Sequence, residues 1–403
     1  MHTIILKKGR DEAVRRFHPW IFSGAIQRMD VDKSQNAKNV LEDGDLVEVV
    51  DAKNQFLAMG YYNDGSITVR VLSFEKEDIN AAFWAKKIQN AYAYRKKIGL
   101  IGSKATNSYR LIHAEGDGLP GLIIDVYHTV AVVQCHGIGM HRQITMIQEA
   151  LKSVFGENLL AIYDKSSETL PSQYVSQINL KNDYLWGQSE VPLTVLENGN
   201  AFAIDWITGQ KTGFFLDQRD NRDLISRYVK GKTVLNAFSY SGGFSVYALQ
   251  AGAKSVHSVD ISQKAIDLTD RNVELNRPFE GEHTALAADV LHFLKDNQSV
   301  YDIMIVDPPA FAKSIAKRHN AVQAYKRLNA MALRQITEGG VLFTFSCSQV
   351  VDRQLFYDTI VAASIEAGRK VRVMHHLTQP ADHPVNIFHP EGSYLKGLVL
   401  YVE

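Results

Sequence analysis

Only two cysteines occur in the 403 residues, Cys135 and Cys347, too few for a disulfide scaffold or a Cys-rich zinc module. Net charge is also missing. Forty-four Lys and Arg offset 44 Asp and Glu, which excludes a polycation that coats nucleic acid and leaves any anionic partner to local patches. No apolar run is long enough to span a bilayer, which takes about 18 uninterrupted residues, because even the stretch from Leu119 to Cys135 is broken by Asp125 and His128. The first residues carry no continuous apolar segment of the secretory type, and no internal repeat or low-complexity tract is evident. These absences lead us to expect a soluble, cytoplasmic protein with no membrane partner. What is present is ordinary for a globular chain: 45% hydrophobic and 22% charged residues, with the length of two or three domains.

Three textures follow one another. Residues 1–75 show short alternating runs at 46–50, 56–62 and 67–72 separated by turn clusters, the pattern of a small β-barrel. Residues 76–195 open with a helix over 79–98, where Phe83, Trp84, Ile88, Ala91 and Tyr92 recur at helical spacing until Gly99 and Gly102. Strand-like runs at 122–126 and 130–135 and a helix over 143–155 make this an α+β segment. Residues 196–403 alternate, with strands at 233–237, 255–260, 285–288, 302–306 and 341–345 and helices at 243–251, 265–275 and 321–336. The expected fold class is therefore α/β, with a doubly wound parallel sheet that binds its ligand at the carboxyl edge of the strands.

Between the strand at 233–237 and its helix lies Asn236-Ala237-Phe238-Ser239-Tyr240-Ser241-Gly242-Gly243-Phe244. Paired glycines let backbone approach a ligand, and the helix N-terminus offers free N–H groups. The spacing is not G-x-G-x-x-G, and Asp260 ends the next strand about 20 residues on, where an acid holds ribose hydroxyls. A nucleoside is expected rather than a pyrophosphate. Asp289 follows the third strand and Asp307 the fourth, so four successive strands finish at a glycine turn or an acid.

Here the chain resembles class I S-adenosylmethionine-dependent methyltransferases, with Asn236 to Phe244 similar to their glycine-rich first motif and Asp307-Pro308-Pro309 to their fourth. His18-Pro19-Trp20, Phe22-Ser23-Gly24, Arg110-Leu111-Ile112, Asp117-Gly118-Leu119-Pro120-Gly121, Phe215-Leu216-Asp217-Gln218-Arg219 and Asp382-His383-Pro384 narrow the resemblance to the ribosomal RNA large subunit methyltransferase I family. It covers nearly the whole chain. It implies an N-terminal PUA RNA-binding barrel, a central α+β domain and a C-terminal Rossmann-like catalytic domain. It also implies S-adenosylmethionine as cofactor and 5-methylcytosine formation in 23S ribosomal RNA; because both faces of the base must be reached, an unpaired cytosine is needed, which favours RNA before the large subunit is fully assembled. Asn236, Phe238, Ser239, Gly242, Gly243, Asp260, Asp289 and Asp307 are then the expected cofactor residues, with Lys211, Thr212 and Phe215 as candidates to close over the donor. A monomer and a homodimer both stay open.

Ser346-Cys347-Ser348 follows the strand at 341–345, so Cys347 should emerge at the same edge as Asp307. Carbon 5 of cytosine is too poor a nucleophile to take a methyl group until something adds to carbon 6, and a thiolate does this well. Cys347 is the candidate nucleophile, and Asp307 is placed to hydrogen-bond the N3 or N4 edge of the base. A thiol of pKa about 8.5 needs a downward shift of roughly 1.5 units to be half ionised at neutral pH, or a proton transfer during attack. The fourth motif continues Ala310-Phe311, with no second cysteine to take part in product release and no tyrosine of the kind that accompanies amino-group methylation. N-methylation of a guanine or adenine remains the rival chemistry, and a non-catalytic RNA-binding assembly factor the rival class. Cys135, ending an apolar run, is expected in the core.

From 79 to 114 there is no acid, while Lys86, Lys87, Arg95 and Lys96 alternate with Trp84, Tyr92 and Tyr94; from 308 to 337 acids are again missing beside Lys313, Arg318, Lys326 and Arg327. These two stretches are the expected RNA-binding faces. Lys7, Lys8, Arg10, Arg15 and Arg16 add a basic opening to the barrel. His375, His376, His383 and His389 lack zinc-type spacing, and no metal is expected.

Overall fold

The computed structural model describes residues 1–32, 40–297 and 299–403. They form two compact units: Met1–Leu193 with Ile204–Phe214 and Ala381–Gly392, and Thr194–Ala203 with Phe215–Pro380 and Ser393–Glu403. Among the described residues no helix is long and apolar enough to cross a membrane.

In the first unit, six strands make one sheet in the order Trp20–Phe22, Ile67–Ser73, Phe56–Tyr62, Leu46–Val50, His2–Leu6, Ile26–Asp30. Alternation in Leu46–Val50 turns Val47 and Val49 inward onto Ile4, Leu6, Leu57 and Val69. The helix Ala81–Lys97 starts where Asn80 accepts hydrogen bonds from the N–H groups of Ala82 and Phe83. It buries Phe83, Trp84, Ile88 and Ala91 in a core shared with a five-stranded sheet ordered Asp183–Gly187, Ala161–Asp164, Val130–Cys135, Leu122–Tyr127, Ser108–His113. Cys135 is a fully buried member of that core. Burial pushes its thiol far above the ordinary range.

Labels in the second unit follow the chain: α1 (Arg219–Ile225), β1 (Thr233–Ala237), α2 (Gly243–Gln250), β2 (Ser255–Asp260), α3 (Gln263–Leu275), β3 (Glu282–Ala287), α4 (Val290–Asp296), β4 (Tyr301–Val306), α5 (Arg318–Gln335), β5 (Ile336–Ser346), α6 (Arg353–Ala367), β6 (Val371–Leu377) and β7 (Lys396–Val402). The sheet order is β3-β2-β1-β4-β5-β7-β6. β1 to β5 run parallel, as the strand–helix alternation implies, but β7 lies antiparallel between β5 and β6. A parallel return needs a crossover, and no α-helix joins β6 to β7, so the last strand comes back antiparallel. Leu235, Ala237, Met304, Val306, Leu342 and Leu400 fill the core beneath α5 and α6. Strand order reverses between β1 and β4, which makes their carboxyl ends the crevice of the sheet.

Candidate active site

The chain leaves β1 through a turn with three left-handed residues, Phe238 (φ 61°), Tyr240 (φ 45°) and Gly242 (φ 73°). Their positions are held from outside. Asp260 at the end of β2 accepts the N–H of Tyr240 at 3.0 Å, and Thr269 and Asn272 of α3 donate to the carbonyls of Tyr240 and Ser241, each at 2.8 Å. The glycines serve packing as much as ligand approach. A Cβ on Gly242 would lie 2.6 Å from Cγ2 of Thr269, and one on Gly243 would lie 2.8 Å from Cδ of Arg222. One polar group in the turn is unspent: Oγ of Ser239 is buried without a hydrogen-bond partner. A carboxylate at the end of β2 and an orphaned hydroxyl in the turn fit a ligand with ribose and amino-acid polar groups. Asp289 follows β3 and caps α4 by accepting the N–H of His292 at 2.9 Å.

Two predicted cofactor residues have side chains committed elsewhere. Asn236 is buried and donates to Oγ of Ser245 at 2.8 Å, tying β1 to α2. Thr212, in the first unit, is fully buried and its hydroxyl bonds Asp125 at 2.5 Å and Tyr127 at 3.0 Å. Lys211, also in that unit, is exposed with φ 53°. Phe215 belongs to the second unit, its ring edge-on to Tyr240 at 5.1 Å, and Phe238 packs onto the core.

Asp307 stands directly after β4. Its Oδ2 accepts from Nε2 of Gln218 at 2.9 Å. Burial, and then the negative charge of Asp217, push its carboxyl up to about 7, so it is part-neutral at physiological pH. Asp217 accepts from the hydroxyl of Tyr394 at 2.6 Å through Oδ2, while its Oδ1 is buried without a partner. Cys347 is half-buried, one residue beyond β5. Burial, Asp307 and Asp217 push its thiol up to about 11, and Lys396 works against them. Of the two routes open from the sequence, a thiol lowered toward neutrality or a proton transfer during attack, the first runs against this site, where burial and then two acids outweigh one cation. The Cys347 turn is pinned on two sides, by Oγ of Ser348 donating to the carbonyl of Ala312 and by Nζ of Lys396 donating to the carbonyl of Ser348, each at 2.7 Å.

Asp217, Gln218 and Lys396 had no role from sequence. The first two lie in the Phe215–Arg219 stretch that carried the resemblance. Lys396 had a weaker signal, a lone charge opening the apolar run Gly397-Leu398-Val399-Leu400.

The expected RNA-binding cations divide. Arg95 departs from an exposed face: it is fully buried, paired with Asp117 and donating to the carbonyls of Arg110 and Asp382 at 2.8 Å. Its guanidinium is consumed inside the fold. Lys87 is half-buried over the Phe83 ring, whereas Lys86 and Lys96 are exposed. After the fourth motif, residues 313–320 are all exposed, including Lys313 and Arg318, as is Arg327, while Lys326 pairs with Glu366 at 2.9 Å. The four histidines are split between the units, and among the described residues no cluster of His, Cys, Asp and Glu is arranged for a metal ion.

Residues 4–74 match the PUA-like domain, and residues 119–391 match the S-adenosylmethionine-dependent methyltransferase family. Fold and site define a class I methyltransferase whose methyl donor is S-adenosylmethionine. Proteins named Ribosomal RNA large subunit methyltransferase I from Vibrio vulnificus and Escherichia coli are 40% and 39% identical, each over 99% of this chain and 99% of the relative; that of Aeromonas hydrophila is 37% identical over 99% and 98%. The chain belongs to the ribosomal RNA large subunit methyltransferase I family. The fold is shared with a solved S-adenosylmethionine-dependent methyltransferase from Streptococcus mutans, with a TM-score of 0.82 at 25% identity over all of both chains. A further solved methyltransferase, complexed with SAH, superposes with a TM-score of 0.83 at 24% identity, again over all of both.

Proposed function

We propose that this enzyme methylates carbon 5 of a cytosine in 23S ribosomal RNA, before the large subunit is fully assembled, through a covalent bond between Cys347 and carbon 6. The reading rests chiefly on one observation: parallel pairing of Val306 with Thr344 brings the half-buried thiol just beyond β5 to the same edge as Asp307 just beyond β4. As the S–C6 bond forms, the C5=C6 electron pair becomes the nucleophile that takes the methyl group. S-adenosylmethionine supplies that group as a cationic methyl donor. Transfer of the C5 proton to solvent water acting as base then restores the double bond and expels the thiolate. Asp307, its carboxyl pushed up to about 7, donates an O–H hydrogen bond to N3 of the base in its protonated form and offsets charge built up during attack. Reaching both faces of the ring requires an unpaired cytosine, which favours RNA that is not yet folded into place, at a cost of a few kcal/mol where the base was stacked. The exposed cations after the fourth motif suit the phosphates beside such a base.

The test uses RNA in which 5-fluorocytidine replaces cytidine. Fluorine cannot leave as a cation, so the wild-type enzyme is expected to accumulate a protein–RNA adduct at Cys347 and the Cys347→Ala variant none. An intact 5-methylcytosine complement in 23S RNA from a deletion strain, or transfer by Cys347→Ala at the wild-type rate, would overturn the reading.

A further inference from the structure

The proposed reaction requires the sulfur of Cys347 to lose a proton when it bonds carbon and to regain one when it leaves, yet its surroundings oppose ionisation. Four titratable groups bear on it from different elements: Asp307 after β4, Asp217 before α1, Tyr325 on α5 and Lys396 at the start of β7. Two are acids that resist a thiolate, and Tyr325 is a fully buried phenol pushed up to about 12. Lys396 is the one cation of the set. Antiparallel pairing of β5 with β7 sets Lys396 opposite Ser346, the residue before Cys347. The residue is 4% exposed, and Nζ reaches past the cysteine to the carbonyl of Ser348. Among the described residues no carboxylate is bonded to this deeply placed lysine, whose ammonium is left with the neutral carbonyl of Ser348. Arg353 and Asp352, which open α6, are the other charges bearing on it, and they oppose each other.

Resting on the covalent reading above, we infer that Lys396 is the proton partner of Cys347: the proton on Sγ passes to Nζ as sulfur bonds carbon, and returns to Sγ when that bond breaks. The exchange balances within the pair. The S–H bond is replaced by an N–H bond, the freed electron pair makes the S–C bond, and no proton is drawn from solvent. It needs a neutral amine at working pH. Burial lowers the Lys396 ammonium to about 8, which keeps such a fraction available.

The probe is iodoacetamide on the full chain, with alkylation of Cys347 read by peptide mass spectrometry from about pH 6 to about pH 11. Buried Cys135 serves as the unreactive internal reference. The wild-type rate is expected to begin its rise near 8, where the amine becomes able to accept the thiol proton, and to continue climbing toward about 11, where the thiol itself ionises. In Lys396→Met the rate at about pH 9 should fall tenfold or more, with the onset near 8 lost and the rise confined to the high pH at which the buried thiol ionises without a partner. Lys396→Arg keeps a donor for Ser348 and keeps the cation, but releases no proton in this range, so the rise near 8 should vanish there too. A wild-type profile in Lys396→Arg, or an unchanged one in Lys396→Met, overturns the inference and leaves Lys396 a structural tether. Equal S-adenosylmethionine affinity in all three proteins checks the fold. Iodoacetamide requires no RNA, so failure of the fluorocytidine adduct would overturn the carbon-5 assignment without touching this measurement.

Discussion

Gln218 donates from Nε2 to Oδ2 of Asp307 at 2.9 Å, and this single bond partly counters the burial and the Asp217 charge that keep the Asp307 carboxyl near 7. A carboxyl raised in the folded state contributes stability that is fully present below the ordinary carboxylate pKa and is lost as pH rises through the folded value. Asp307→Asn is therefore expected to melt with the wild type near pH 4 and to be more stable by about 4 kcal/mol near pH 8, even as methyl transfer falls. Thermal melts at the two pH values decide it. A stability difference that is the same at both would refute the raised carboxyl.

Replacing Cys347 by Ala should remove methyl transfer by a factor of about 10³ or more, because the covalent route is lost rather than weakened. S-adenosylmethionine affinity, measured by calorimetry, should stay within about twofold, since the thiol emerges from β5 and the glycine turn from β1.

Gly242→Ala combines a φ of 73° with a Cβ 2.6 Å from Thr269, so both backbone strain and a clash with α3 are expected. Urea unfolding should show a loss of about 2–4 kcal/mol, with donor affinity falling alongside. Gly252→Ala has φ 86° but no protein atom nearer than Cγ of Lys230 at 3.6 Å. It carries strain without the clash and should cost roughly 1 kcal/mol.

Arginines that look alike in the sequence should behave differently. Arg95→Met strands Asp117 inside the first unit and is expected to cost about 3–5 kcal/mol of stability. Arg318→Glu and Arg327→Glu alter exposed side chains and should leave the melting temperature nearly unchanged. They should instead weaken RNA binding and flatten its salt dependence by about 0.7 per lost phosphate contact. Filter binding over a salt series separates the two behaviours.

Much of the fold was readable because local patterns coincide with burial. The strands at 46–50, 56–62 and 233–237 appear at those bounds, and the helix expected over 79–98 is Ala81–Lys97, begun by an asparagine cap. What escaped is equally specific. β6 and β7 carry no motif, and the antiparallel entry of β7 is fixed by the lack of a crossover helix rather than by its composition. Spacing likewise presented Arg95 as one of a run of exposed cations. Asp117, far along the chain, decides that it is not.

The residue types and their order set the strand–helix alternation, the glycine turn, the acids closing β2 to β4 and the thiol after β5. Each of these depends on neighbours within a few positions, where periodicity and turn chemistry act. Protonation was decided only by folding. The charge state of Cys347 depends on Asp307, Asp217 and Lys396, which are 40, 130 and 49 positions away in sequence and meet it only across strands. Coulomb energy and desolvation depend on distance in space and on burial, and neither quantity exists until the sheet is assembled.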